Sequence, residues 1–368
     1  MRKAFPERAK PLAPIPYLLL VAGVMFLSQP AWALTFHLTY DSSTTNAPPG
    51  FFTAFQAVID LLQTTYTDPI TINMQVGWGE INGRSLSPGN LGQSSTFQNA
   101  IYSYSQIRDA LKTDAKTPDD AVALANLPAT DPTGGASFVM ANAQAKALGL
   151  LSANAPGIDG YVGFNTNANY DFDPVNRAVA GQYDFFGLAC HEVTEVMGRY
   201  GLGQNGASSG RYSPIDLFRY SSPGVLDLTP TNGAYFSIDG GHTLINTFNG
   251  TGGGDLSDWA GSTLDSFNHS LTQGRELAVS EGDLIEMDAI GYDRVIARPS
   301  LQIGSQKPNS LTISWSSTTA GFILQTNSDP ATSNWFPANI TISTLNGTNH
   351  SAAIKPSPSG SVFFRLQR

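Results

Sequence analysis

The chain is 368 residues long, 41% hydrophobic and only 13% charged, with a formal net charge of −9. That length leaves room for two packed domains, while the acidic balance argues against a nucleic-acid partner. Cys190 is the single cysteine, which excludes an intrachain disulfide and leaves stability to packing and bound metal.

Arg2, Lys3, Arg8 and Lys10 precede an apolar run from Tyr17 to Leu27, followed by Ala31-Trp32-Ala33. A basic flank, a short apolar core and an A-x-A site predict a secretory signal peptide over residues 1–33. The run is shorter than the ~20 residues a bilayer requires. A retained anchor is the competing reading. The expected product is secreted, extracellular or in the periplasm or at the cell surface, with no stable membrane insertion after cleavage.

Beyond the signal, Thr35 to Tyr40 alternates as a half-buried strand does. Phe55, Val58, Ile59 and Leu62 recur at helical spacing, which predicts a helix over Phe51 to Thr64 that Asp68-Pro69 ends. Ile70 to Trp78 alternates again, and Gly79 to Gln93 is turn-rich. Helical patterns follow at Phe97 to Leu111 and at Ser137 to Leu148, then a short strand at Gly160 to Phe164. The loose alternation of strands and helices predicts an α+β layout, a mixed twisted sheet backed by helices. Asp184 is the expected N-cap of the next helix and Gly201 its stop. From Gly203 to Gln273 the chain reads as loops and short strands. Ser280 and Asp283 open a last helix with a capping-box pattern, closed by Gly291. After Pro299 short alternating runs such as Leu311 to Trp315 and Val362 to Leu366 predict a small all-β sandwich. The expected organisation is a first domain over 34–297 and a β-sandwich over 298–368.

The chain has seven glutamates, and two of them lie within a turn of one histidine, in His191-Glu192-Val193-Thr194-Glu195. On a helix, His191 and Glu195 stand at i and i+4 and can grip one metal ion. Glu192 is then the adjacent carboxylate that can take a proton from a zinc-activated water. This is the layout of the H-E-x-x-H zinc peptidases with a glutamate in place of the second histidine. The plain alternative is an i,i+4 polar pair on a solvated face. It is disfavoured because the helix is otherwise apolar, and charges on a buried element need partners or a metal. A carboxylate in place of an imidazole adds negative charge, so the zinc is expected to be a weaker Lewis acid. Cys190 is best read as a small buried apolar residue.

The third ligand stays open between Asp216, His242 and His269, with Asp216 first. Its rival role is to pair with Arg199, Arg211 or Arg219. Gly201, where a longer zinc motif would place the ligand, has no side chain. Tyr212 and Tyr220 are candidate oxyanion donors. Asp239, Asn246, Asn249, Asp255 and Asp258 crowd a Gly-rich segment, which suits either a structural Ca²⁺ or, preferred here, a set of Asx turns. Met287 reads as core.

His191 to Arg199 (HEVTEVMGR), the SPIDLFRYS segment, Tyr235 to Gly241, Gly254 to Trp259 and Met287 to Asp293 together resemble a family of exported bacterial metalloproteases carrying an HExxE-MGR helix. The resemblance covers about residues 35–295, including Val76 to Glu80. It implies a zincin-like metalloprotease domain with His191, Glu192 and Glu195 in the motif roles, and it favours Asp216 as ligand. The C-terminal part is similar to β-sandwich appendages (Ig/fibronectin-like) of secreted bacterial proteins, which implies surface or glycan contact.

The expectation is therefore a secreted zinc metalloendopeptidase acting on protein or peptide, with Glu192 as general base and His191, Glu195 and Asp216 holding zinc. The alternatives are an inactive zincin scaffold and a cell-surface adhesion or carbohydrate-binding protein.

Overall fold

A computed structural model describes residues 33–202, 210–230, 232–250, 253–261, 264–295, 299–307, 310–316, 322–345, 349–354 and 361–367. The expected signal segment, apart from Ala33, lies outside them, as does the expected domain boundary near Ala297. Among the described residues no helix is long and apolar enough to cross a membrane.

The central sheet has four strands, β1 (Thr35–Tyr40), β2 (Thr71–Trp78), β3 (Gly92–Thr96) and β4 (Gly160–Phe164), in the order β1-β2-β4-β3. β1 and β4 run parallel to β2, and the edge strand β3 runs antiparallel to β4. β3 falls partly in the stretch read as turns. Its alternation is carried by Ser and Gln rather than by apolar residues, so the hydrophobic period gave no signal.

Helix α1 (Pro49–Thr65) buries Phe51, Phe55, Val58, Ile59 and Leu62, the expected apolar stripe. Two predicted helices are corrected. The first begins only at Tyr104 as α2 (Tyr104–Asp114), because Ser103 and Gln106 form a capping box there. Phe97 instead continues the sheet, its N–H donating to Asp159 O. The second reduces to α4 (Asn142–Ala147), since Ser137–Val139 pairs as a strand with Ile101–Tyr102. Between them lies an unpredicted helix, α3 (Pro118–Asn126), with its own capping box of Thr117 and Asp120.

The motif helix is α5 (Phe185–Met197), and the Asp184 carboxylate accepts from the Gly187 N–H as its N-cap. It stops at Gly198 rather than Gly201: Gly198 adopts φ +120°, open to glycine and costly for other residues. Phe185 anchors the helix in an aromatic cluster with Phe51, Phe164 and Phe172. The chain then passes through short strands and turns to α6 (Glu281–Ala289), capped by Ser280 and Asp283 as expected.

The C-terminal region is mostly antiparallel. Strands β5 (Gln302–Lys307), β6 (Ser310–Ser316), β7 (Ile323–Asn327), β8 (Phe336–Pro337), β9 (Ile342–Leu345), β10 (Asn349–Ile354) and β11 (Phe363–Gln367) form two sheets, β5-β6-β10-β9 and β8-β7-β11. Ile313, Trp315, Leu324 and Ala352 make a small core there, separate from the large core around α1, α5 and the central sheet.

Candidate metal centre

Of the thirteen residues of α5, all except Phe186 are buried, and the helix lies beneath β3. Glycines set the close approach. A Cβ at Gly160 would stand 2.6 Å from Val196, and one at Gly92 would stand 2.9 Å from the Glu192 carboxyl carbon. The polar residues of α5 therefore face the edge strand. Ser94 Oγ on β3 donates to Glu195 Oε2 at 2.6 Å.

His191 Nε2 lies 3.5 Å from Glu195 Oε1 and 3.6 Å from Asp258 Oδ1, and one ligand atom from each residue fits within 4.8 Å of the others. Ligand bonds of about 2.1 Å in a tetrahedral site put ligand atoms about 3.4 Å apart, so the two separations from Nε2 match the spacing zinc requires. Two further observations favour a cation. Glu195 Oε1 is buried and accepts no hydrogen bond. His191 Nδ1 lies 3.0 Å from the Ser266 carbonyl oxygen, so Nδ1 carries an N–H and Nε2 is the ring nitrogen turned to the other two groups.

Arg199 closes the back of the centre. It donates to Asp258 Oδ1 at 2.7 Å, to Thr194 Oγ1 and to the His191 carbonyl, and its guanidinium lies over the Phe267 ring. Asp258 is positioned by its neighbours: Trp259 is buried between Phe236 and Phe248 and donates to Asp283, while the Asn249 N–H donates to Asp258 O.

The electrostatics follow from this crowding. Burial works against a charged His191, yet the Asp258 and Glu195 carboxylates outweigh it and raise the imidazole to about 9. Burial likewise works against a charged Glu195, but His191, Arg199 and Ser94 bring it down to about 2. Glu192 is pushed well up by burial and by the Glu195 charge. Burial and the Glu195 and Asp258 charges lift Asp255 to about 7. These groups line one cleft of about 860 Å³ between β3 and the loops at 254–258 and 268–271.

Asp216 is not part of this cluster. Its carboxylate accepts the Ser213 N–H at 2.7 Å and the Leu202 N–H at 3.0 Å, capping a 3-10 turn over Pro214–Phe218. Gly201 is small because a Cβ there would stand 2.6 Å from Asp216 Oδ1. The group that could hold a metal contains Asp258, and Asp216, the residue the sequence suggested, is not in it. His242 is exposed, and His269 is exposed at the mouth of the cleft. Tyr212 packs on Phe138 and Tyr220 beside Gly241, whereas Tyr183 and Tyr200 line the cleft.

The Gly-rich segment divides the same way. Asp239 binds Ser237 and Thr243, and Asn249 offers its amide N–H to the Gly253 and Asp255 carbonyls. Asp258 was visible in the GDLSDW run, but only beside a calcium or turn reading. Nothing periodic in that loop pointed it at His191.

Compared with protein-family models, with curated proteins and with solved structures, the chain matches none.

Proposed function

We propose that this chain is an exported zinc-dependent endopeptidase whose centre is His191, Glu195 and Asp258, with Glu192 as general base. The observation that carries the reading is the convergence of an imidazole nitrogen and two carboxylate oxygens at 3.5–3.6 Å in the floor of an open cleft that Glu192 also lines. His191, Glu195 and Asp258 would hold the zinc, which would supply Lewis acidity and acidify a water. Burial and the neighbouring carboxylate push Glu192 well up, so a cation beside it is what would return it to the carboxylate form. In that form it could take the proton of an attacking water and pass it to the leaving amine. Ser94 and Arg199 hold Glu195 and Asp258 in place. β3 is a sheet edge bordering the cleft, and an extended peptide can add to such an edge through main-chain hydrogen bonds.

The test is zinc loading and peptide hydrolysis by the secreted chain and by Glu192→Gln. Retained zinc with hydrolysis reduced ~10²–10⁴-fold supports the reading. Zinc binding without hydrolysis by either form rejects it. One observation favours a second reading, an inactive scaffold: protonated His191 and Arg199 together balance Glu195 and Asp258, giving a closed ion cluster with no metal. A chain that refuses zinc and unfolds identically with and without chelator would establish that alternative.

A further inference from the structure

A second cluster lies where three helix ends meet. Asp68 follows α1, Asp114 is the last residue of α2, and Asp293 follows α6; carboxylate oxygens from all three lie within 4.8 Å of one another. Asp68 is 1% exposed and Asp293 5%, and each keeps one enclosed oxygen, Oδ1, that accepts no hydrogen bond. A buried carboxylate oxygen without a donor is costly. Asp114 adds to the cost, because the C-terminal end of a helix disfavours negative charge.

The positive charge at hand is Lys116, which pairs with Asp293. Its side chain is 60% exposed, and a single ammonium leaves three carboxylates under-neutralised. We propose that Asp68, Asp114 and Asp293 form a structural calcium site. The donors are all hard oxygens, as calcium prefers, and two Ca–O bonds of about 2.4 Å span about 4.8 Å.

The cation would fasten the segment after α1 to the segment after α6. Thr67 N–H donates to Asp293 O at 2.8 Å, Asp293 N–H to Asp68 Oδ2 at 3.0 Å, and Val295 N–H to Thr65 O at 2.7 Å. These bonds hold the end of α1 against the segment after α6. In a chain with one cysteine, an ion bound here does the fastening that a disulfide does in other exported proteins. The site shares no residue with the His191 centre and does not depend on the proposed peptidase activity.

The test is thermal unfolding of the full chain after chelation, with calcium chloride restored to about 10 mM, above the ~10⁻⁴–10⁻³ M typical of extracellular calcium modules. The wild-type midpoint is expected to rise by about 5 °C once the site is saturated. Asp114→Asn, at a half-buried position that tolerates an isostere, is expected to lose most of that rise. In chelator the variant is expected to match or exceed the wild type, because one like charge is gone, so calcium reverses their order. A wild-type midpoint indifferent to calcium overturns the proposal, as does a rise that Asp114→Asn keeps in full.

Discussion

Arg199 and Asp258 form a 2.7 Å ion pair across 59 residues of chain, with the arginine side chain fully enclosed. The pair joins the end of α5 to the loop that completes the candidate centre. Removing one member leaves a buried charge uncompensated, which costs about 3–5 kcal/mol. Arg199→Met is therefore expected to destabilise the chain by that order. It should also weaken zinc binding ~10–100-fold, as losing an outer-shell partner does. Urea unfolding and a competitive zinc titration measure the two effects separately.

Asp258 and Asp216 make opposite predictions. Asp258→Asn should cost more zinc affinity than an outer-shell change, beyond ~100-fold. Asp216→Asn should leave zinc stoichiometry intact while losing ~1–3 kcal/mol of stability, since one of two buried N–H donors loses its acceptor. Metal analysis of both purified variants decides, and zinc lost only from Asp216→Asn would return the ligand role to that residue.

Gly92 is expected to matter for turnover rather than folding. A Cβ there would stand 2.9 Å from the Glu192 carboxyl carbon and closer still to its Oε1, displacing the base. An error of about 1 Å in a reacting group costs ~10²-fold. Gly92→Ala should thus retain zinc and lose hydrolysis by about that factor; unchanged kinetics would show that Glu192 tolerates the move.

Asp216 also sets a pH dependence. Burial raises its carboxyl from 3.8 to about 6 against the opposing Ser213 and Leu202 N–H donors. The folded state then holds a proton that the unfolded chain releases, so this group favours folding below about pH 4. That contribution is lost as pH rises through about 6. About two units at 1.36 kcal/mol each make it on the order of 3 kcal/mol. Asp216→Asn should flatten the stability profile between pH 4 and 6 relative to the wild type, read from urea midpoints at fixed ionic strength.

Much of the frame was legible locally. The stripe of α1, the alternation of β1 and β2, the short apolar run of β4, and the capping residues Asp184 and Ser280 each act within a few positions, so sequence alone reports them. β3 escaped because its Ser and Gln residues give no apolar period. Ser137–Val139 was drawn into a helix by the alanines that follow, although pairing with Ile101–Tyr102 decides its shape.

The candidate centre divides along the same line. One turn of α5 places His191 beside Glu195 whatever the rest of the chain does, and that much belongs to the sequence, because helix geometry is local. The arrival of Asp258 depends on burying Trp259 and on Arg199 reaching back from the end of α5, contacts between segments with no common period. Tertiary packing alone selects Asp258 over Asp216, whose two oxygens the backbone of its own turn and of Leu202 has already claimed.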